Sequence, residues 1–393
     1  MLIKNGKIFT CEEGKIYEKG DILIKDGKIS KIGEDLSQYI GEEEVIDAKG
    51  LLIFPGFIEA HCHLGLHEEG NNGAGNGTNE ASEPITPQMR AIDGINPFDG
   101  GFQSAREAGV TTAVIGPGSA NVIGGQFAAV KTSGICIDDM IIKEPVAIKV
   151  AFGENPKRVY SGKNKMPNTR MAIAALLRET LIEAVNYKNR KIDAEIEDRD
   201  FSKNLKYESL LPLINREIPM KAHAHRADDI LTAIRISKEF NLKLTLDHCT
   251  EGHLISDYIK RENLDAIVGP TLSFNGKAET LNKTFKTPKA LIDKGIKVAI
   301  TTDHPVVTID NLPLCAAMAM KEGITFNEAL EAITINPAEI IGIDERVGSL
   351  KEGKDGDLVI LNGSPFEIAT KTIYTIINLS LIHISEPTRR TPI

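Results

Sequence analysis

The sequence has no CxxC pair, and its five cysteines are scattered at Cys11, Cys62, Cys136, Cys249 and Cys315. An odd, dispersed set supports neither a disulfide framework nor a thiolate zinc site. No segment reaches the roughly 18 uncharged apolar residues that a membrane-spanning helix needs. The opening stretch also lacks the apolar core of an export signal. These absences predict a reducing, cytoplasmic setting and no membrane partner. Positive charge is not in excess either, since 46 Lys and Arg against 55 Asp and Glu give a net charge of −9. Nucleic-acid-binding chains usually show a basic patch or a high isoelectric point, so no nucleic-acid partner is expected. The glycines at Gly116, Gly118, Gly124 and Gly125 let backbone approach a ligand, but the Lys-Ser/Thr ending of a phosphate loop is missing.

What is present suits a large soluble fold. With 393 residues, 41% hydrophobic and 26% charged, the chain is long enough for a barrel plus a small accessory unit. Residues 1–50 read as short strands at Leu2–Lys4, Lys7–Phe9, Asp21–Lys25 and Lys28–Ile32, with hairpin-turn dipeptides at Asn5-Gly6 and Asp26-Gly27. From Leu51 strands alternate with helical patterns, which predicts βα units and a parallel sheet. The strand candidates are Leu51–Ala60, Thr111–Ile115, Phe127–Lys131, Val146–Phe152, Ile218–Ala222, Leu242–Asp247, Ala266–Gly269 and Lys297–Thr302. Eight is the number a closed (β/α)8 TIM-like barrel requires. Apolar residues at helical spacing mark Thr169–Tyr187, Ala227–Phe240 and Thr287–Lys294, and two further helices follow at Leu312–Glu322 and Thr325–Ile335.

Other stretches stand outside this pattern. Gly70–Gly77 is a loop after the first barrel strand, either a cover for the barrel mouth or an insertion without a role. Ile192–Lys206 is charge-dense and reads as a solvated surface excursion. Val347–Leu350 and Gly356–Leu361 read again as short strands, whereas residues 379–393 fit no unit and are set aside as a non-native or disordered tail.

The chemistry concentrates at strand ends. Pro55–His63 reads PGFIEAHCH, and histidines two apart at the end of a strand project to one side. His61 and His63 can therefore reach one metal ion. His223 closes MKAH, His248 closes LTLDH, and Asp303 closes VAITTD. Imidazole and carboxylate suit Zn2+ and also Fe2+, Mn2+ and Ni2+. Four histidines and an aspartate at the C-terminal ends of four strands lie on the face where barrel enzymes place catalysis.

These segments in this order, PGFIEAHCH, MKAHA, LTLDHCT and AITTDHP, resemble the amidohydrolase superfamily. The segment NPAEIIGIDERVGSLKEGKDGDLVIL strengthens the resemblance, which covers roughly residues 1–378. Within the superfamily the chain is most similar to the imidazolonepropionase-related branch, among members with the motif GENPKRVY, here Gly153–Tyr160. The resemblance implies a small β-sandwich of residues 1–50 plus 345–378, beside a metal-binding barrel over 51–344. It places His61 and His63 on the more buried metal, His223 and His248 on a second, and makes Asp303 both ligand and proton acceptor from the nucleophilic water. The carboxylate bridging two metals would be Glu154, which follows Val146–Phe152 directly, with a carboxylated Lys149 the competing candidate.

The implied reaction is hydrolysis of a C–N bond in an amide or cyclic amide, with one or two divalent metals, Zn2+ first, activating water. Deaminases and imidazolonepropionases of the superfamily carry a proton-shuttling Glu three residues after the strand-five histidine, and this chain has Arg226 there. That departure favours a two-metal hydrolase over a mononuclear heterocycle deaminase. A non-catalytic scaffold is the third reading, and the intact ligand set argues against it. His225 would face the substrate or simply start a helix. Arg158 could grip a substrate carboxylate with Tyr160 beside it, or pair within its own loop. His253 is expected to be structural. The partners implied are a small-molecule substrate and further copies of the chain in a homo-oligomer.

Overall fold

The computed structural model describes all residues except 42, 43, 71, 72, 74, 379 and 385–393. The Gly70–Gly77 loop falls partly outside the described residues. The chain begins with five strands: β1 (Leu2–Phe9), β2 (Ile16–Lys25), β3 (Lys28–Gly33), β4 (Val45–Asp47) and β5 (Leu52–Pro55). Asp26 and Gly27 both take positive φ (51° and 75°) and join β2 to β3 in a two-residue hairpin. Asn5-Gly6, expected as a turn, lies inside β1 as a local irregularity in its pairing with β2.

Eight strands follow: β6 (Phe57–Cys62), β7 (Val110–Ile115), β8 (Ile123–Lys131), β9 (Ile141–Ala151), β10 (Met220–Ala224), β11 (Leu244–His248), β12 (Ala266–Val268) and β13 (Val298–Ile300). They form one sheet in sequence order. The sheet nearly closes on itself, since the His63 N–H donates to the His304 carbonyl at 2.8 Å and the Thr301 hydroxyl to the His61 carbonyl at 2.8 Å. The expected single strand Leu51–Ala60 is divided. Leu52–Pro55 pairs with β1 in the first sheet and Phe57–Cys62 starts the second, with the break at Gly56, where a Cβ would collide with Thr111.

A second correction concerns Phe127–Lys131. Its strand, β8, runs antiparallel to both β7 and β9, while the other neighbours in this sheet are parallel. A parallel crossover needs a dozen or more residues. The connections before and after β8, residues 116–122 and 132–140, are too short, so the chain reverses instead. The result is a mixed α/β fold whose eight-stranded sheet carries one reversed strand.

The last three strands, β14 (Leu358–Leu361), β15 (Thr372–Ile377) and β16 (Ser380–Ile384), return to the first sheet, where β14 pairs with β5. Residues 380–384 of the segment set aside as a tail therefore extend this sheet, antiparallel to β15. The charge-dense stretch after Tyr187 is also more ordered than expected. The helix Arg170–Ile196 continues through it, and Tyr187 and Lys191 both reach Glu208, at 2.6 and 2.9 Å.

Ile58, Val114, Phe127, Ala147, Ile267 and Ala299 come from six different barrel strands and share one buried cluster, which is possible only inside the barrel. The helix Ile335–Ile341 joins that cluster through Ala338 and Ile341. The Ile58 N–H, near the start of β6, donates to the Ile333 carbonyl, and the Asn336 amide of this helix donates to the carbonyl of Val298, the first residue of β13, at 3.0 Å. The helix thus stoppers the end where strands begin and leaves the opposite end for polar side chains.

Candidate metal centre

At the C-terminal strand ends, two groups of buried donors lie side by side. His61, His63 and Asp303 form one and His223, His225 and His248 the other, with the donor atoms of each group within 4.8 Å of one another. In the first, the Nε2 atoms of His61 and His63 stand 3.6 and 3.4 Å from Asp303 Oδ1. In the second, the ring centroids lie 4.4 to 4.8 Å apart. The groups adjoin, with the His61 and His248 rings 4.9 Å apart. His248 and Asp303 both take positive φ, 69° and 55°. Non-glycine residues there are strained, and such strain clusters at functional sites.

The rings are oriented from behind. His61 Nδ1 is 2.6 Å from Asp247, His63 Nδ1 2.7 Å from the Gly116 carbonyl, His248 Nδ1 2.7 Å from the Gly269 carbonyl and His225 Nδ1 2.8 Å from the Thr250 hydroxyl. Each contact leaves the Nε2 lone pair facing inward. Glu59 is fully buried beneath His61. It accepts the His61 N–H at 3.1 Å, the Thr302 N–H at 2.9 Å and both threonine hydroxyls of Thr301-Thr302, and burial pushes its carboxyl up to about 7.

The electrostatics favour uncharged imidazoles. Burial holds His61, His223 and His248 well below the usual histidine range, with Lys149 adding to the effect at His61 and His248 at His223. His225 is drawn down to about 3, again chiefly by burial and then by Lys277. Both His223 nitrogens and Asp303 Oδ1 are buried without a hydrogen-bond partner. Leaving such atoms unmet costs about 1–3 kcal/mol each, and neutral imidazole beside carboxylate is a donor set for divalent cations. The residues fit a metal on that ground.

The candidate bridging residues separate clearly. Lys149, on β9, is fully buried with Nζ 3.0 Å from His61 Nε2, and burial lowers its ammonium to about 8. Glu154 is not with the ligands. β9 ends at Ala151, Gly153 turns the chain at φ 82°, and Glu154 opens the helix Glu154–Ser161. There its Oε1 accepts the Glu279 N–H at 2.9 Å. Tyr160 and Arg158 are not brought to the centre either. Tyr160 is buried with its hydroxyl on the Glu83 carbonyl at 2.6 Å and on Asn121 Oδ1 at 2.5 Å, holding the loop after β6, while Arg158 is exposed on the same helix. Arg226 pairs with the exposed Asp228 at 2.9 Å.

Four residues around the donors were not singled out from the sequence. Asp247 joins His61 to Lys221 Nζ at 3.1 Å, and all three are fully buried. Phe127 underlies them, with the His61 ring 5.2 Å away and the Lys149 and Lys221 ammonium groups each 5.5 Å from its centroid. Glu279 approaches His223 and His225 from the loop after β12. A signal existed for Lys221, as it does for Lys149: lysines flanked by apolar residues inside buried strands are rare unless paired.

The model of the Amidohydrolase family matches residues 165–381. The solved structure of an amidohydrolase from Thermotoga maritima MSB8 is 39% identical, covers 98% of this chain and 100% of that one, and superposes with a TM-score of 0.95. Amidohydrolase tasK of Hapsidospora irregularis is 28% identical over 95% of this chain, which spans only 42% of that protein's length. An imidazolonepropionase of Clostridium tetani is 27% identical, covering 92% of this chain and 91% of that protein.

Proposed function

The chain belongs to the amidohydrolase family, in its imidazolonepropionase-related branch, and on the premise of an enzyme acting on C–N bonds we propose hydrolysis of a small amide or cyclic amide with the help of divalent cations, Zn2+ first among them. The observation that carries this reading is the convergence of His61, His63 and Asp303 beside His223, His225 and His248. The first three, with Lys149, would hold one cation, and His223 and His248 a second. Lys149 replaces Glu154 as the proposed bridge. Its amine is about one-tenth unprotonated at pH 7 for a pKa of about 8, and the free amine is the form that carboxylation requires.

A bound divalent cation lowers the pKa of a water toward ~7 and polarises a carbonyl. The residues do the rest. Asp303 Oδ1, 3.4 Å from His63 Nε2 and without a hydrogen-bond partner, takes the proton of the attacking water and delivers it to the leaving nitrogen. Asp247 holds His61 in one tautomer, and Phe127 excludes water beneath it. Arg226 offers no carboxylate for a second shuttle, which supports a hydrolase above a deaminase. We further take residues 1–55 with 345–384 as the small unit, 56–344 as the barrel, and a cytoplasmic homo-oligomer as the working form.

Asp303→Asn tests the proton role. Loaded with Zn2+, this variant is expected to keep metal while losing at least about 100-fold in kcat on any amide the parent enzyme hydrolyses. Full turnover in that variant overturns the assignment.

A further inference from the structure

We propose that Glu279 is a further ligand of the cation site at His223, His225 and His248. The inference rests on the two-cation reading above and deepens it at one of the centres. Glu279 is 1% exposed, yet its Oε1 has no hydrogen-bond partner. That oxygen lies 4.0 Å from His223 Nε2 and 3.9 Å from His225 Nε2. Donors around a tetrahedral zinc ion at about 2.0–2.2 Å stand roughly 3.3–3.6 Å apart, so shifts of a few tenths of an ångström bring these atoms onto one ion. The nearest compensating charge, Lys277 Nζ, is 3.7 Å away, beyond hydrogen-bond reach, on a side chain 29% exposed.

The carboxylate is also aimed. Its other oxygen, Oε2, accepts the Glu154 N–H at 2.7 Å, and the Glu279 N–H returns a bond to Glu154 Oε1 at 2.9 Å. This reciprocal clasp fixes the loop between β12 and the helix Lys286–Ile292 over the three imidazoles. Gly153 is required beside it, because any Cβ there would strike Glu279 Oε2. Both nitrogens of His223 are without partners, and His225 keeps Nε2 free by placing Nδ1 on Thr250. The buried unmet atoms of His223 and Glu279, with His225 Nε2 beside them, thus face a common point.

Sites with four protein donors behave as closed ones, whereas an open site keeps a position for water or substrate. A fourth donor at His223, His225 and His248 would therefore slow the release of the ion held there.

The test loads the full chain with Co2+ and follows elemental content, the visible d–d spectrum and release to EDTA. Two ions are expected, each with its own release phase. Glu279→Gln should accelerate one of the two phases at least about tenfold and alter the visible spectrum while the other phase stays put. Glu279→Asp, with the charge kept and the reach shortened, should fall between the parent and Glu279→Gln. Circular dichroism and the unchanged second phase verify folding. Two ions with parental release rates and spectrum in both variants overturn the role of Glu279 and leave the two-cation reading standing. A parent protein that binds no Co2+ overturns both.

Discussion

Replacing Asp247 by asparagine removes the negative charge from a fully buried chain of contacts, between His61 Nδ1 at 2.6 Å and Lys221 Nζ at 3.1 Å. An amide oxygen in place of Oδ2 still accepts the His61 N–H and stays near Lys221, but the amide nitrogen then takes the place of Oδ1, 3.3 Å from the Lys221 ammonium, donor against donor. Breaking a buried pair from one side costs about 3–5 kcal/mol, while replacing both partners by apolar groups is close to neutral. Metal-free Asp247→Asn should therefore lose about 3–5 kcal/mol of stability in urea unfolding, and Asp247→Asn with Lys221→Met should recover most of it. Cation affinity should fall about 10–100-fold in both variants, because the orientation of His61 is weakened in each. The pH dependence has a definite sign. Burial lowers the Lys221 pKa from 10.5 and Asp247 opposes that shift. Without Asp247 the folded-state value drops further, the unfolded chain binds the proton first as pH falls, and the deficit grows below 10.5 and shrinks toward it. A double variant as unstable as the single one would refute the counterion role. A double variant with fully restored affinity would refute the orienting role.

Two further outcomes separate the candidates near β9. Lys149→Met should lower cation content toward one per chain by elemental analysis, while Glu154→Gln, which retains an acceptor for the Glu279 N–H, should leave it unchanged; the opposite pattern would return the bridge to Glu154. Tyr160→Phe should cost about 1–3 kcal/mol in unfolding by stranding the buried Asn121 Oδ1 and the Glu83 carbonyl. Its KM should not move, and a large rise in KM would restore a substrate-binding role.

The strand-end histidines were legible because their signal is local. Spacing of two in PGFIEAHCH and a closing polar residue after an apolar run are both short-range patterns. The expectation of Glu154 as the bridge meets an equally local obstacle. It follows the strand in sequence, but Gly153 at φ 82° turns the chain before it, so position after a strand is not position at its mouth. Lys149 could have been preferred on burial alone, since an unpaired lysine does not sit in an apolar strand without cause. Glu279 had no such signal. It lies in a loop without periodicity, and only the fold carries it across to Glu154, 125 residues away.

The reversed strand has a consequence for the chemistry. With connections too short for a full crossover on either side, the second holding only the single helical turn Ile137–Met140, β8 is held in the barrel by its hydrogen bonds to β7 and β9. Its Phe127 lies under His61, Lys149 and Lys221 and carries no hydrogen-bonding group. A polar side chain at that position would solvate the imidazole and both ammonium groups and weaken the burial effect that holds His61 and Lys149 in their low-pKa states. An aromatic face instead excludes water while its quadrupole tolerates the nearby ammonium groups. The apolar floor thus keeps His61 neutral without stranding the lysines, and a neutral His61 is the form that can donate a lone pair to a cation.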